Sequence, residues 1–214
     1  MGIKKASIPD FYIDTLPAVS NTFPMGRLRS IDILASASHV FTWLSQLRIA
    51  PYSYDYIDNR GRRSPYYLVQ NLPPIKNGTH CLLAFHVFAF EENSFLVCRF
   101  CEPINSPLHL FIKGLYIEYR LIKNLNKTRL LCKVLGFVNR DIVSRTAFLM
   151  ICALNRIMMR RQLVVIKKLS ERMAAGKIKT GEFPLERSYI KSGLHWWIFC
   201  RRRHCPSLMT GQST

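Results

Sequence analysis

Tyr52-Ser53-Tyr54-Asp55-Tyr56-Ile57-Asp58-Asn59-Arg60-Gly61-Arg62-Arg63-Ser64-Pro65 is the segment from which this chain of 214 residues is best read. Three tyrosines, two aspartates and an asparagine fall between positions 52 and 59. Tyrosine joins a large apolar ring to a polar tip, which suits the wall or mouth of a greasy pocket. Asp58-Asn59-Arg60-Gly61 is turn chemistry, because Asn and Gly tolerate the backbone angles of a tight turn. Asp55 and Asp58 have two readings. Either they cap the turn and pair with Arg62 or Arg63, or, held among tyrosines, they keep a raised pKa and serve as an acid or base.

Upstream, Pro9, Pro17 and Pro24 with scattered apolar residues make an extended arm over 1–26. Ser30 to Leu34 alternates as a first strand. Ser36 and Ser38 are N-cap candidates for a helix over 38–48, with Val40, Trp43, Leu44 and Leu47 on its buried face and His39 at its surface start. Residues 50–78 form a proline-rich connection, and a connection of that length is either functional or holds a short helix, here around Tyr54–Asn59. From His80 the period becomes two: Phe85 and Val87 alternate with His86 and Phe88, Glu91 to Ser94 turns, and Phe95 to Phe100 returns. Leu115, Ile117, Tyr119 and Leu121 alternate with Tyr116, Glu118 and Arg120. Asn124 to Lys127 turns into a last strand, Thr128 to Phe137, with Arg129 and Lys133 outward. The connections are too short for helical crossovers, so the meander is antiparallel. Residues 143–173 then read as one long helix. Its expected apolar stripe is Ala147, Ile151, Leu154, Met158, Val165 and Leu169, and Arg156, Arg160, Lys167 and Glu171 line another face. Gly176 is a good helix end.

Trp43-Leu44-Ser45-Gln46-Leu47, Tyr52-Ser53-Tyr54-Asp55, Asp58-Asn59, Arg63-Ser64-Pro65 and Asn77-Gly78 together resemble the SRPBCC group, the START-like or polyketide-cyclase-like superfamily. Within it they are similar to a bacterial branch with a W-x-W-L-x-Q helix followed by Y-S-Y-D-x-x-D-N. Phe41 stands where the first Trp of that pattern sits, and Ile49-Ala50-Pro51 replaces a Gly-rich approach to the tyrosines. The helix running from Leu154 to Lys168 resembles the closing helix of the same branch, and the likeness spans 27–175. It implies an α+β helix-grip fold: a curved antiparallel β-sheet wrapped around a long C-terminal α-helix with a hydrophobic cavity. It therefore divides the chain into the arm 1–26, a ligand-binding domain 27–175 and a tail 176–214. In the resembled fold the 50–78 connection lies beside the cavity entrance, which puts Trp43, Tyr52, Tyr54 and Tyr56 there. Phe85, Leu115, Ile117 and Tyr119 are then expected on the sheet face, and Leu154 and Met158 on the gripping helix.

Composition bounds the function. Hydrophobic residues make up 49% of the chain and charged residues 21%, which allows a sizeable core and excludes global disorder. The formal net charge of +18 attracts phosphates, whether on an anionic membrane or on nucleic acid. No run reaches the about 18 consecutive apolar residues of a membrane span. Pro9, Asp10 and Asp14 break up any secretory core, and Ala6 stands where a myristoylation signal needs Ser or Thr. The expected location is cytoplasmic, with peripheral membrane contact.

Seven cysteines, most in apolar patterns, fit free thiols. Cys98 and Cys101 lie three apart in a strand and face opposite sides, and Cys200, His204 and Cys205 lack a fourth ligand, so no metal site is expected. No phosphate loop, dinucleotide fingerprint or nucleophile elbow is present, and no cofactor is expected. Three function classes remain. The foremost is binding, transport or sequestration of a hydrophobic or amphipathic small molecule. The second is a cyclase or dehydratase of polyketide-like substrates, with His86, Asp55 or Asp58 as base, and binding ranks ahead of it because this fold hosts many functions. The third is a basic interaction protein whose tail, Trp196-Trp197 beside Arg201-Arg202-Arg203, meets an anionic membrane, with nucleic acid ranked behind.

Overall fold

A computed structural model of the chain describes residues 10–17, 19–58, 63–82, 84–101 and 110–183. The elements are β1 (Thr22–Ile33), α1 (Ala37–Ser45), α2 (Asp55–Asp58), β2 (Leu68–Val69), β3 (His80–Cys81), β4 (Phe85–Glu91), β5 (Phe95–Phe100), β6 (Ile112–Asn124), β7 (Lys127–Asn139), α3 (Ile142–Ala174) and β8 (Thr180–Gly181). Six strands form one antiparallel sheet in the order β1-β7-β6-β5-β4-β3. Register shifts between Val87 and Ala89 and between Ile112 and Gly114 bend it, as bulges do. β2 and β8 make a separate two-residue parallel pair that ties the chain after α3 to the 50–78 connection. The fold is a helix-grip α+β fold, with α3 lying along the concave face of a curved sheet.

Local chemistry accounts for the long helix. Asp141 caps α3 by accepting from the Ser144 amide and hydroxyl, both at 2.7 Å. No Pro or Gly interrupts the next 33 residues. Gly176, at φ +66°, ends the helix, and the Lys177 amide bonds back to the Arg172 carbonyl at 2.9 Å.

The concave core joins α1, the sheet and α3 through Trp43, Leu44, Leu96, Tyr119, Leu130, Leu163 and Ile166, all nearly inaccessible. Near the N-terminus of α3, Phe148 lies over Gly136 of β7. A Cβ at 136 would come within 2.2 Å of the Phe148 ring, so the glycine is what lets helix and sheet approach there.

Three elements differ from the sequence reading. The first strand begins at Thr22, not Ser30, and pairs with β7 over 12 positions. As an edge strand β1 accommodates Pro24, whose missing amide a central strand could not spare. Second, residues 10–17 of the extended arm pack onto the sheet. Phe11 and Ile13 are buried against the convex face with Val97, Tyr116, Leu131, Leu135 and Phe137. The Ile13 amide donates to the buried Glu118 carboxylate at 2.9 Å, and the other carboxylate oxygen accepts from Arg120 at 2.8 Å. Third, α3 is rotated from the expected stripe. Its buried line is Phe148, Met159, Leu163, Ile166 and Leu169, while Leu154 is 68% exposed.

Candidate functional site

The groove between the concave face and α3 is held at its centre by one polar side chain. Gln162 of α3 is buried, and its amide is used at both ends. Its carbonyl accepts from the Tyr119 hydroxyl of β6 at 2.6 Å, and its NH2 donates to the Pro51 carbonyl at 2.6 Å. Burial pushes the Tyr119 hydroxyl well above the usual range, so it stays a donor. One residue earlier, Arg161 donates to the Ser53 carbonyl at 2.9 Å and lies 4.9 Å from the Tyr54 ring centroid. Two neighbouring helix residues thus fasten the tyrosine segment onto α3.

Within that segment Tyr52 is buried at φ 54°, a left-handed conformation uncommon for a side chain of its size. Its ring meets Trp43 edge to face at 5.9 Å. The Trp43 Nε1 and Tyr52 hydroxyl are both buried without a hydrogen-bond partner. Burial raises the Tyr52 pKa, which keeps its proton in place as a donor. Strained backbone and unpaired buried donors concentrate at functional sites.

Towards the N-terminal half of α3 the packing of helix on sheet is less complete. Phe111, Leu115 and Met25 from the sheet side and Ile151 and Cys152 from α3 are only partly covered. Beside them is a shallow recess, partly open to solvent and with room for about one water molecule (about 10 Å³), lined by Arg27, Arg29, Val134, Cys152, Asn155, Arg156 and Met159. Cys132 pairs with Arg29 and Tyr119, and Val134 pairs with Arg27 and Ile117. The recess is therefore continuous with the sheet wall expected from the sequence.

The sequence-derived residues divide accordingly. Trp43, Tyr52, Ile117 and Tyr119 are in the concave core, and Phe85 and Leu115 pack against it half-buried. Tyr54 and Met158 are half-buried. Tyr56 is 89% exposed, and Leu154 faces outward. The Asp55 carboxylate accepts from the amide of Ser64 at 2.9 Å and from its hydroxyl and forms no ion pair with Arg63, while Arg62 lies outside the described residues. The Asp58 side chain and the tail residues Trp196, Trp197, Arg201, Arg202 and Arg203 lie outside the described residues.

His86 pairs with Arg99, one position from the core pair Val87 and Cys98, so it faces the convex side, away from α3. There its Nδ1 is 3.0 Å from the Cys101 sulfur. Cys98 turns inward, 3.1 Å from Cys81. The two cysteines of Cys98-Arg99-Phe100-Cys101 thus part to opposite faces. Among the described residues no three His, Cys, Asp or Glu side chains gather as metal ligands would.

Sequence reasoning missed Gln162, Arg27 and Arg29. A signal for the arginines was present: Ile31 and Ile33 face the core, and strand alternation carries that face to positions 29 and 27.

No protein-family model matches the sequence, and no curated protein matches it. Solved structures with a similar fold include the di-domain ARO/CYC StfQ from the steffimycin biosynthetic pathway, with a TM-score of 0.46 and 10% identity. That alignment covers 71% of this chain and 52% of StfQ, so the chain spans about half the length of that protein. Norcoclaurine synthase from Thalictrum flavum, in complex with dopamine and hydroxybenzaldehyde, aligns with a TM-score of 0.42 and 13% identity over 78% of this chain and 96% of its own. At these levels no substrate or reaction carries over, and the fold rests on the strand order and pairing above.

Burial holds the His86 imidazole down at about 4, with Arg99 and His80 adding to the effect, against about 6.5 in an unfolded chain. Its contribution to stability is complete above about pH 6.5 and is lost as pH falls towards 4, because the unfolded state takes the proton first. Urea midpoints measured from about pH 7.5 to about pH 4 should fall more steeply for the wild type than for His86→Leu. His80, shifted the same way by burial, is retained in both. Parallel profiles would mean that His86 is solvated.

Proposed function

We propose that this protein binds a hydrophobic or amphipathic small molecule between its concave sheet face and α3, and transports or sequesters it. The observation that carries this reading is the incompletely packed end of the groove. Apolar side chains from sheet and helix, among them Leu115, Phe111 and Ile151, remain half-covered where they pack around Phe148, beside a recess. Two apolar walls with a few polar groups at the edge are the makeup of small-molecule sites. The unpaired donors of Trp43 and Tyr52 add two polar anchors within the same concave core. The resemblance of the Tyr52–Asn59 region to the START-like branch points the same way.

A cyclase or dehydratase would need an acid or base that reaches the ligand. Asp55 is engaged by Ser64, and His86 faces away from α3. Binding is therefore the better supported of the two. A neutral apolar fluorophore such as N-phenylnaphthylamine tests it. Ile151→Trp fills the groove mouth and should weaken uptake about tenfold, the equivalent of about 1.4 kcal/mol, without lowering the thermal midpoint. Unchanged uptake would remove the ligand from this groove.

One observation favours a membrane surface as a further partner. The most apolar 18-residue window of α3 has a mean hydropathy of 1.4 and is only 17% buried, so by length and composition the helix could cross a membrane. Packed on the sheet by its other face, it presents Ile142, Val143, Met150, Leu154 and Ile157 outward, with Arg145 and Arg160 among them, all exposed. Apolar and basic side chains exposed together suit contact with an anionic interface. The described cysteines are free, in keeping with the reducing cytoplasm in which we place the chain. Sedimentation with anionic vesicles should be strong at low salt, weaker at high salt, and reduced in Leu154→Gln/Ile157→Gln. Equal sedimentation of variant and wild type would exclude this helix face.

A further inference from the structure

Resting on the groove reading above, we propose that Arg27, Arg29 and Arg156 form an anion site at the groove mouth, and that the ligand is an amphiphile with a phosphate or similarly anionic head.

The argument begins with strand geometry. Residues two apart on a strand share a face, so Arg27 and Arg29 both point from β1 towards α3. On the helix, Arg156 meets them across the same recess, with Asn155 beside it. Three arginines thus line one small recess. Among the described residues none forms an ion pair. The acidic groups that form ion pairs do so elsewhere: Asp32 with Arg129 and Lys127, Asp14 with Lys133, Glu118 with Arg120, and Glu171 with Lys167. Like charges brought together without a carboxylate repel one another, and an anion removes that cost.

The surroundings narrow the ligand further. Arg29 is half-buried, and Arg27 and Arg156 are exposed, so the charge lies at the rim and not in the core. Immediately inside are Cys152, Val134 and Met159, and next to them the half-covered Met25 and Ile151. The field of the arginines reaches inward as well. Burial raises the Cys152 pKa, and Arg27 and Arg29 pull it back down. A rim of planar, multiply donating cations beside half-covered apolar side chains suits a head of several oxygens joined to a hydrocarbon body. A free inorganic anion would use the rim and leave those side chains uncovered.

Decyl phosphate, n-decanol and inorganic phosphate separate these cases, read as displacement of N-phenylnaphthylamine and, for phosphate alone, by calorimetry. The variants are Arg27→Gln/Arg29→Gln and Arg156→Gln, with Lys168→Gln, an exposed position further along α3, as a control for general charge loss. Circular dichroism checks that each is folded. Charge-assisted hydrogen bonds are the stronger ones, so wild type should prefer decyl phosphate to decanol by about tenfold or more. That preference should collapse in both arginine variants and persist in Lys168→Gln. Equal affinity for the two amphiphiles in wild type overturns the anion site while leaving the groove reading intact. Calorimetric binding of inorganic phosphate, lost in the arginine variants but with no amphiphile displacing the probe, overturns the amphiphile and leaves a site for a soluble anion. Failure of the probe itself to bind overturns both.

Discussion

The amide of Gln162 fixes how this structure is put together. A long helix with apolar residues around much of its circumference can settle on a sheet in more than one rotation. The buried amide removes that freedom, because both of its ends need a partner and only one rotation offers Tyr119 to one end and the Pro51 carbonyl to the other. Leaving either end unpaired would cost about 1–3 kcal/mol. With that rotation set, Phe148, Met159, Leu163 and Ile166 meet the sheet, Leu154 and Ile157 meet solvent, and Arg156 turns towards β1. The tyrosine segment follows, since Pro51 and Ser53 are the residues that α3 holds.

The convex face is organised by the opposite device, a buried charge. Glu118 is inaccessible, and a carboxylate in that position must be fully engaged. Arg120 supplies the counter-charge and the Ile13 amide a hydrogen bond, which draws Phe11 and Ile13 down onto the sheet. Lys133 and Arg120 then stack on the Phe11 ring at 4.9 and 5.8 Å, and Asp14 pairs with Lys133. α3 therefore covers one face of the sheet, and the N-terminal segment covers part of the other. That covering leaves the β1 side of the groove as the place where apolar side chains and arginines stay within reach of a ligand.

Much of this was legible in the sequence. Period-two alternation in 85–100 and 115–137 has few competing interpretations, and the absence of Pro and Gly after Asp141 makes α3 one piece. The helix holding Trp43 and Leu44 declares itself through its apolar spacing. The rotation of α3 was not legible. Ile142, Val143, Phe148, Leu149, Met150, Ile151, Leu154 and Ile157 leave no polar face by which to orient its first half, and the residue that does orient it, Gln162, reads as solvent-facing. The start of β1 was hidden because Pro24 and Gly26 look like loop residues until the edge position of the strand is known. The burial of Phe11 and Ile13 depends on Glu118, 105 residues away from Ile13, and no local pattern announces a contact of that range. Tyr56 carries a signal identical to that of its neighbours, yet a single helical turn at α2 directs it outward.

The central claim is that the groove mouth between β1, β6 and α3 is where a small molecule enters, and methyl-resolved NMR tests it most directly. On titration with n-decanol, the methyl groups of Leu115, Ile117, Val134 and Ile151 should shift together and saturate. Those of Leu131, Leu135 and Ile122 on the convex side should stay still, as should Ile142 and Leu154 on the outer face of α3. Shifts confined to the outer helix face, or spread over the convex side with Ile151 and Val134 unmoved, would contradict the account.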